Sequence, residues 1–254
     1  MNIFFVIGVS WKKAILSLKA NNSHAWISYI WWLLEPLFLI MTYFLVFGFI
    51  FGGSEDYLPN LIIGVVIWTW FANSWLHISL CFVDNRYLMS LINVNKLFYP
   101  VSTLFMDMLK QLPVFAVLLC FIIYLGYFPN INWLYLLPLF ILQVMLIFSI
   151  GFFTCCIVPV YRDLRILLGL VVNLMMFISG VFYVPSEVIS DESILNLMYL
   201  NPLLILIENY RTVLVEGHPI NIDQIIYMVM LQALLLIVST VIFRKLNYFY
   251  IKMH

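Results

Sequence analysis

Charge is the scarcest property of this 254-residue chain. Only 9% of its residues are Asp, Glu, Lys or Arg, while 65% are hydrophobic and the mean hydropathy is +1.07. Water-soluble domains carry about a quarter charged residues, so that class is excluded. The net charge is zero, and no bulk basic field points to nucleic acid. Cysteine is equally sparse. Cys81, Cys120, Cys155 and Cys156 lie inside apolar runs without a CxxC spacing or a partner His, and they read as small hydrophobes rather than disulfides or metal ligands. No GxxxxGK[ST] occurs, so the chain does not cradle ATP phosphates itself. HExxH and GxSxG are missing, and His24, His77, His218 and His254 are scattered, so neither a catalytic constellation nor a metal site is expected. The short apolar run of MNIFFVIGVS has no basic residue ahead of it, and a cleaved signal peptide is not expected.

Long apolar runs are what the chain has instead. A run of about 18 or more apolar residues is long enough to cross a bilayer. Six such spans are expected, at 27–51, 58–81, 104–127, 133–158, 166–184 and 225–243. Turn chemistry separates them in GGSED at 52–56, YFPNIN at 127–132 and VPVYRDLR at 158–165. A mixed segment, 185–224, precedes the last span and is punctuated by Pro185, Pro202 and Pro219. No repeat, low-complexity tract or linker divides the chain, so 1–254 reads as one domain.

Basic residues orient the spans, because Lys and Arg concentrate in cytoplasmic loops. With six spans, all but Arg211 of the 12 basic residues fall on one face. Acidic residues of the 52–56 loop and of 185–224 fall on the other. Both termini are therefore expected in the cytoplasm. The apolar stretch 196–217 invites a seventh span, but it holds Glu208, Asn209 and Arg211. Charges near a helix centre cost roughly 2.5–3.5 kcal/mol each on insertion scales, and Pro202 interrupts the helix. A re-entrant hairpin entering from the outer face is expected instead.

Two segments read as helices on the inner membrane surface. In SWKKAILSLKANN, within residues 1–24, Trp11, Ile15 and Leu18 share one face and Lys12, Lys13 and Lys19 lie elsewhere. In DNRYLMSLINVNKLFYP, residues 84–100, Leu88, Leu91 and Ile92 align opposite Arg86, Ser90 and Asn93, with Lys96 following. Glu35, in WWLLEPLF, reads as the one acidic residue well inside a span's apolar text. It either marks a transport path or essential partner, or snorkels toward the headgroups. Aromatics make up 18% of the chain. Tyr43, Phe47 and Phe51 on the first span, and Trp68, Phe71 and Trp75 on the second, form helical stripes. Such stripes serve packing or, as a channel wall, stack against sugar faces.

The order of these pieces resembles a known family. A basic amphipathic helix is followed by W-x-x-L-E-P entering the first span, a helix ending N-K-L-F-Y-P, then Y-R-D-L after the fourth span. An external segment with Asn201–Pro202 and Asn209–Tyr210–Arg211 precedes the last span. The whole is similar to the permease subunit of ABC-2-type polysaccharide exporters, the group of O-antigen, teichoic-acid and capsule translocases. The resemblance implies an all-α membrane protein with six transmembrane helices, an N-terminal interface helix, a cytoplasmic coupling helix and an external re-entrant hairpin before the last span. It implies a homodimer in the bacterial inner membrane, paired with two copies of a separate ATPase that holds ATP and Mg; no cofactor is expected on this chain. Arg86, Leu88, Leu91, Ile92 and Lys96 would couple to that ATPase. Tyr161, Arg162, Asp163 and Arg165 would line the substrate entrance, and Asn201, Pro202 and Arg211 would belong to the external gate. The implied substrate is a glycan on a polyprenyl pyrophosphate. A drug or small-lipid exporter of the same build, and a membrane-embedded glycan polymerase or ligase, are the competing readings.

Overall fold

Hydrocarbon offers no partner to a backbone N–H or C=O, so an apolar run in a bilayer satisfies these groups within a helix. In the computed structural model, residues 3–22, 27–50, 57–91, 94–161 and 163–246 are described, and among them helices form and no strand occurs. Phe51, Ile92 and Arg162, named above, lie outside the described residues, as does the side chain of Phe47.

The chain runs through α1 (Ile3–Asn22), α2 (Ile27–Tyr43, extended by a π-helical stretch Phe44–Ile50), α3 (Tyr57–Asp84), α4 (Arg86–Leu91) and α5 (Phe98–Tyr124). A 3-10 turn at Ile131–Tyr135 leads into α6 (Leu136–Ile157). Then come α7 (Leu164–Ile178), α8 (Pro185–Val188), α9 (Glu192–Met198), α10 (Pro202–Arg211, followed by a π turn Thr212–Glu216) and α11 (Ile222–Leu246). Among the described residues, four helices are long and apolar enough to cross a membrane: Tyr57–Asp84, Phe98–Tyr124, Ile131–Ile157 and Ile222–Leu246. The protein is therefore multi-pass.

The helical run Ile27–Ile50 covers the expected first span. The expected fifth span is shorter: the apolar helix found there, Leu164–Ile178, is 15 residues long and reaches about 22 Å at 1.5 Å per residue, less than the ~30 Å hydrocarbon layer. Residues 179–184 of the expected fifth span instead turn back, burying Val181 and Phe182.

α3 is the central pillar. Nineteen of its residues are buried, and it packs against α2, α5, α6, α7 and α10. Polar side chains bind the helices where lipid supplies no hydrophobic drive. Gln143 of α6 donates to the Ile67 carbonyl of α3 (3.1 Å), and Gln232 of α11 donates to the Leu142 carbonyl of α6 (3.2 Å). Cys81 and Cys155 approach to 3.3 Å as free thiols, far beyond a disulfide bond length.

α1 lies along α5. Its packed stripe is Val6, Ser10 and Ala14, whereas Trp11 and Leu16 are exposed. The stripe that packs on α5 is distinct from the Trp11, Ile15 and Leu18 face expected at the headgroups, and the small Ser10 and Ala14 let the two backbones approach closely. Ser10 Oγ donates to the Phe98 carbonyl (3.4 Å), and the Lys13 ammonium sits 4.9 Å from the Phe98 ring centre.

Candidate transport path and coupling surface

The two ends of the bundle differ chemically. At one end, α3 passes through Asn85 into α4, a six-residue helix. Leu88 is 42% and Leu91 62% exposed, and Arg86 and Tyr87 are exposed as well. The chain then turns at Lys96–Leu97, where Asn95 Oδ1 accepts from the Leu97 N–H (3.1 Å), and Pro100 falls in the first turn of α5. The single helix expected over 84–100 is thus three pieces: the end of α3, the short α4 and the start of α5. The apolar face it was expected to carry is present and uncovered at Leu88 and Leu91. Lys96 is half-buried, and burial lowers its pKa. Tyr161 and Asp163, between α6 and α7, and Arg165, in the first turn of α7, are exposed.

At the opposite end, α10 is the most enclosed element of the segment 185–224. Its Leu203 to Ile207 run is buried, while α9 buries nothing. Asn201 caps α10, accepting from the Leu203 N–H (3.0 Å), and its amide donates to Ser179 Oγ at the end of α7 (2.9 Å). Pro202 takes the first helical position, where its missing N–H is no loss. Arg211 is buried, and its guanidinium donates to the carbonyls of Asn60, Tyr183 and Val181 at 3.1, 3.1 and 3.0 Å. A charge that is expensive to bury alone is thereby surrounded by carbonyl dipoles.

Asn209 completes the hairpin's anchorage, donating to Gln224 Oε1 (2.9 Å) and accepting from the Asn221 N–H (3.0 Å). Asn130 and Asn132 donate to the Gly217 carbonyl (3.1 and 2.6 Å). Gly217 itself has φ 70°, and a Cβ there would sit 2.7 Å from Asn130 Nδ2. A cavity of about 310 Å³ lies beside it, lined by Glu208, Asn209, Thr212, Pro219, Asn221 and Gln224. Burial raises the pKa of Glu208, against the opposing effect of the hydrogen bond that Tyr199 donates to it (3.1 Å).

The expected aromatic channel wall needs correction. Trp68, Phe71 and Trp75 are only 8%, 1% and 6% exposed. Trp75 Nε1 donates to Thr154 Oγ1 (3.1 Å), and its ring lies against Phe71. Their faces are occupied by this chain's own core. Tyr43 is half-buried, with its hydroxyl 3.7 Å from Met176 Sδ and its ring edge-on to Phe182.

A polar set that the sequence reading did not assemble lies between α2, α3 and α5. His77 Nδ1 is 2.9 Å from Asp107 Oδ2, Lys110 Nζ is 3.5 Å from Asp107 Oδ1, and Asn73 Nδ2 donates to Glu35 Oε1 (3.4 Å). Glu35 was singled out in the sequence; Asp107 lies inside the expected third span and was the signal available for the rest.

A family profile described as ABC-2 type transporter matches residues 9–215, from within α1 to the π turn after α10. The chain belongs to the ABC-2 type transporter family. This ABC-2 chain is also similar, at 27% and 26% identity over 233 residues, to two proteins of Klebsiella pneumoniae named O-antigen export system permease protein RfbA. Those alignments cover 91% of this chain and 89% of each relative. A Myxococcus xanthus protein of the same name is 22% identical over 230 residues, covering 90% of this chain and 88% of that protein. As an ABC-2 chain it is a transport subunit, and the exposed α4 and the anchored hairpin are the parts of it set at opposite ends of the bundle.

Proposed function

We propose that this chain is the membrane-spanning subunit of an ATP-driven exporter that moves a polyprenyl-pyrophosphate-linked glycan of O-antigen type from the inner to the outer face of the bacterial inner membrane. The near full-length similarity to O-antigen export permeases carries this reading. On this reading the chain crosses the membrane six times, with α2 and the shorter α7 crossing alongside the four long helices, and both termini lie in the cytoplasm. Two copies form the path, and two copies of a separate ATPase hold ATP and Mg.

The geometry supports a division of labour. α4 follows α3 directly through Asn85, so that a push from the ATPase would pass into the central pillar, and Leu88 and Leu91 present the apolar contact. Arg86 and Lys96 flank that contact with charge, and Tyr161, Asp163 and Arg165, with Arg162 beside them in the sequence, would meet an arriving pyrophosphate headgroup. Planar guanidinium groups suit pyrophosphate through paired hydrogen bonds. At the other end, Asn201, Pro202 and Arg211 hold the hairpin across the exit as a gate. Deleting the gene should abolish surface O-antigen while lipid-linked glycan accumulates inside, and the wild-type gene should restore export. Unchanged surface glycan in the deletion strain would overturn the proposal.

A further inference from the structure

On α3, the longest and most buried span, the exposed positions are Asn73, His77, Val83 and Asp84. This is the reverse of a lipid-facing surface, where exposed positions are apolar. Glu35 from α2 meets Asn73, and Asp107 from α5 meets His77, so α3 shows a polar strip bordered by two helices that add carboxylates to it. His77 and Asp107 lie three to four residues, roughly 5–6 Å at 1.5 Å per residue, inside the inner ends of the expected spans 58–81 and 104–127, and Glu35 and Asn73 lie eight residues, roughly 12 Å, inside the ends of theirs. Charged groups held at such depth against lipid cost a few kcal/mol each, about 2.5–3.5 at a helix centre, and therefore face water or protein.

Asp107 is 6% exposed and His77 is 52% exposed. The buried carboxylate thus fixes the imidazole through Nδ1 and leaves Nε2 as its remaining ring nitrogen. Glu35 and Asn73 are exposed beside it. Carboxylate, carboxamide and imidazole together supply hydrogen-bond acceptors and donors on planar groups, a set suited to the vicinal hydroxyls of a sugar.

We infer that the Asn73–His77 strip, with Glu35 and the positioning residue Asp107, is a water-facing wall of the transport path that binds hydroxyl groups of the passing glycan. The ligand class rests on the export reading above; the hydration of the strip does not. It also replaces Trp68, Phe71 and Trp75 as the substrate-facing side of α3.

The test uses the full chain with its ATPase in lipid nanodiscs. Cys120, the exposed cysteine of the four, is replaced in Cys120→Ser, and a spin label is placed at Asn73→Cys or His77→Cys, with Leu234→Cys on α11 as a lipid-facing control. Asn73→Cys loses only the contact with Glu35, so it remains informative should His77→Cys misfold by stranding Asp107. A soluble nickel chelate should broaden the labels at 73 and 77 and not at 234. Adding the host's own extracted lipid-linked glycan should then abolish nickel access at 73 and 77. Broadening by oxygen alone would place the strip against lipid. Spin–spin coupling without nickel access would place it in the contact between copies. Either result, or nickel access indifferent to the glycan, overturns the inference. Surface glycan of the deletion strain separately decides the export reading, so the two failures are distinguishable.

Discussion

The Arg211 guanidinium lies where a side chain on Gly64 would have to go. The Arg211 Nη2 donates to the Val181 carbonyl at 3.0 Å, and a Cβ added to Gly64 would meet that oxygen at 2.5 Å and Nη2 at 2.8 Å. The glycine lets the turn after α7 lie on α3, and the arginine ties that turn to the hairpin. Gly64→Ala should destabilise the protein by about 2 kcal/mol, the usual scale for forced overpacking. Arg211→Leu leaves the carbonyls of Asn60, Val181 and Tyr183 without this donor and should cost about 3 kcal/mol or more. Arg211→Lys, which keeps the charge and loses the fork, should fall between wild type and Leu. Thermal unfolding of the purified protein reads all three; a Gly64→Ala variant as stable as wild type would show that the close approach is not required.

Leu88→Glu and Leu91→Glu change residues that the chain leaves uncovered. Membrane insertion and thermal stability should therefore stay within about 0.5 kcal/mol of wild type. Co-purification with the ATPase should weaken by about tenfold or more, the loss expected when about 1.4 kcal/mol of interface is removed. Retention of the full ATPase complement by both variants would remove α4 from the coupling contact.

Trp75→Ala should act on the fold rather than on substrate choice. The indole is buried and donates to Thr154 Oγ1, and emptying such a site costs roughly 3–5 kcal/mol. Trp75→Phe should recover much of the packing and lack the hydrogen bond. Unfolding temperatures that rank wild type, Phe, Ala fit this role. A fully stable Trp75→Ala that fails only in export would restore the indole to the channel wall.

Glu208 supplies a pH dependence. Burial raises its folded-state pKa above the ordinary 4.5, and Tyr199 opposes part of that rise through its hydrogen bond. Between pH 4.5 and the raised value, the folded chain keeps a proton that the unfolded chain has released. Stability from this group is therefore full below the window and falls as pH rises through it. Glu208→Gln keeps an acceptor for Tyr199 and cannot ionise, so the difference in unfolding temperature between variant and wild type should grow with pH. A difference independent of pH would show that Glu208 does not titrate in this way.

Local text was enough for much of the architecture. The apolar run of α3, the Pro202 start of α10 and the turn residues around Asn130 each act over a few positions, so helix class and the four long spans were legible. The Leu88–Leu91 stripe was legible for the same reason, since helical period alone places the two residues on one face. Burial of an aromatic stripe was not: Trp68, Phe71 and Trp75 read alike whether α6 covers them or a substrate does.

The amino-acid sequence by itself determined that this chain lives in a membrane, because apolar length and scarce charge are properties of local composition. Only the tertiary structure decided which polar groups meet. His77 and Asp107 are separated by 30 positions, and Arg211 and Asn60 by 151; no periodicity spans such distances. Helix packing alone brings them within hydrogen-bond reach, and there a charge that would be costly in lipid gains the partner that makes it tolerable.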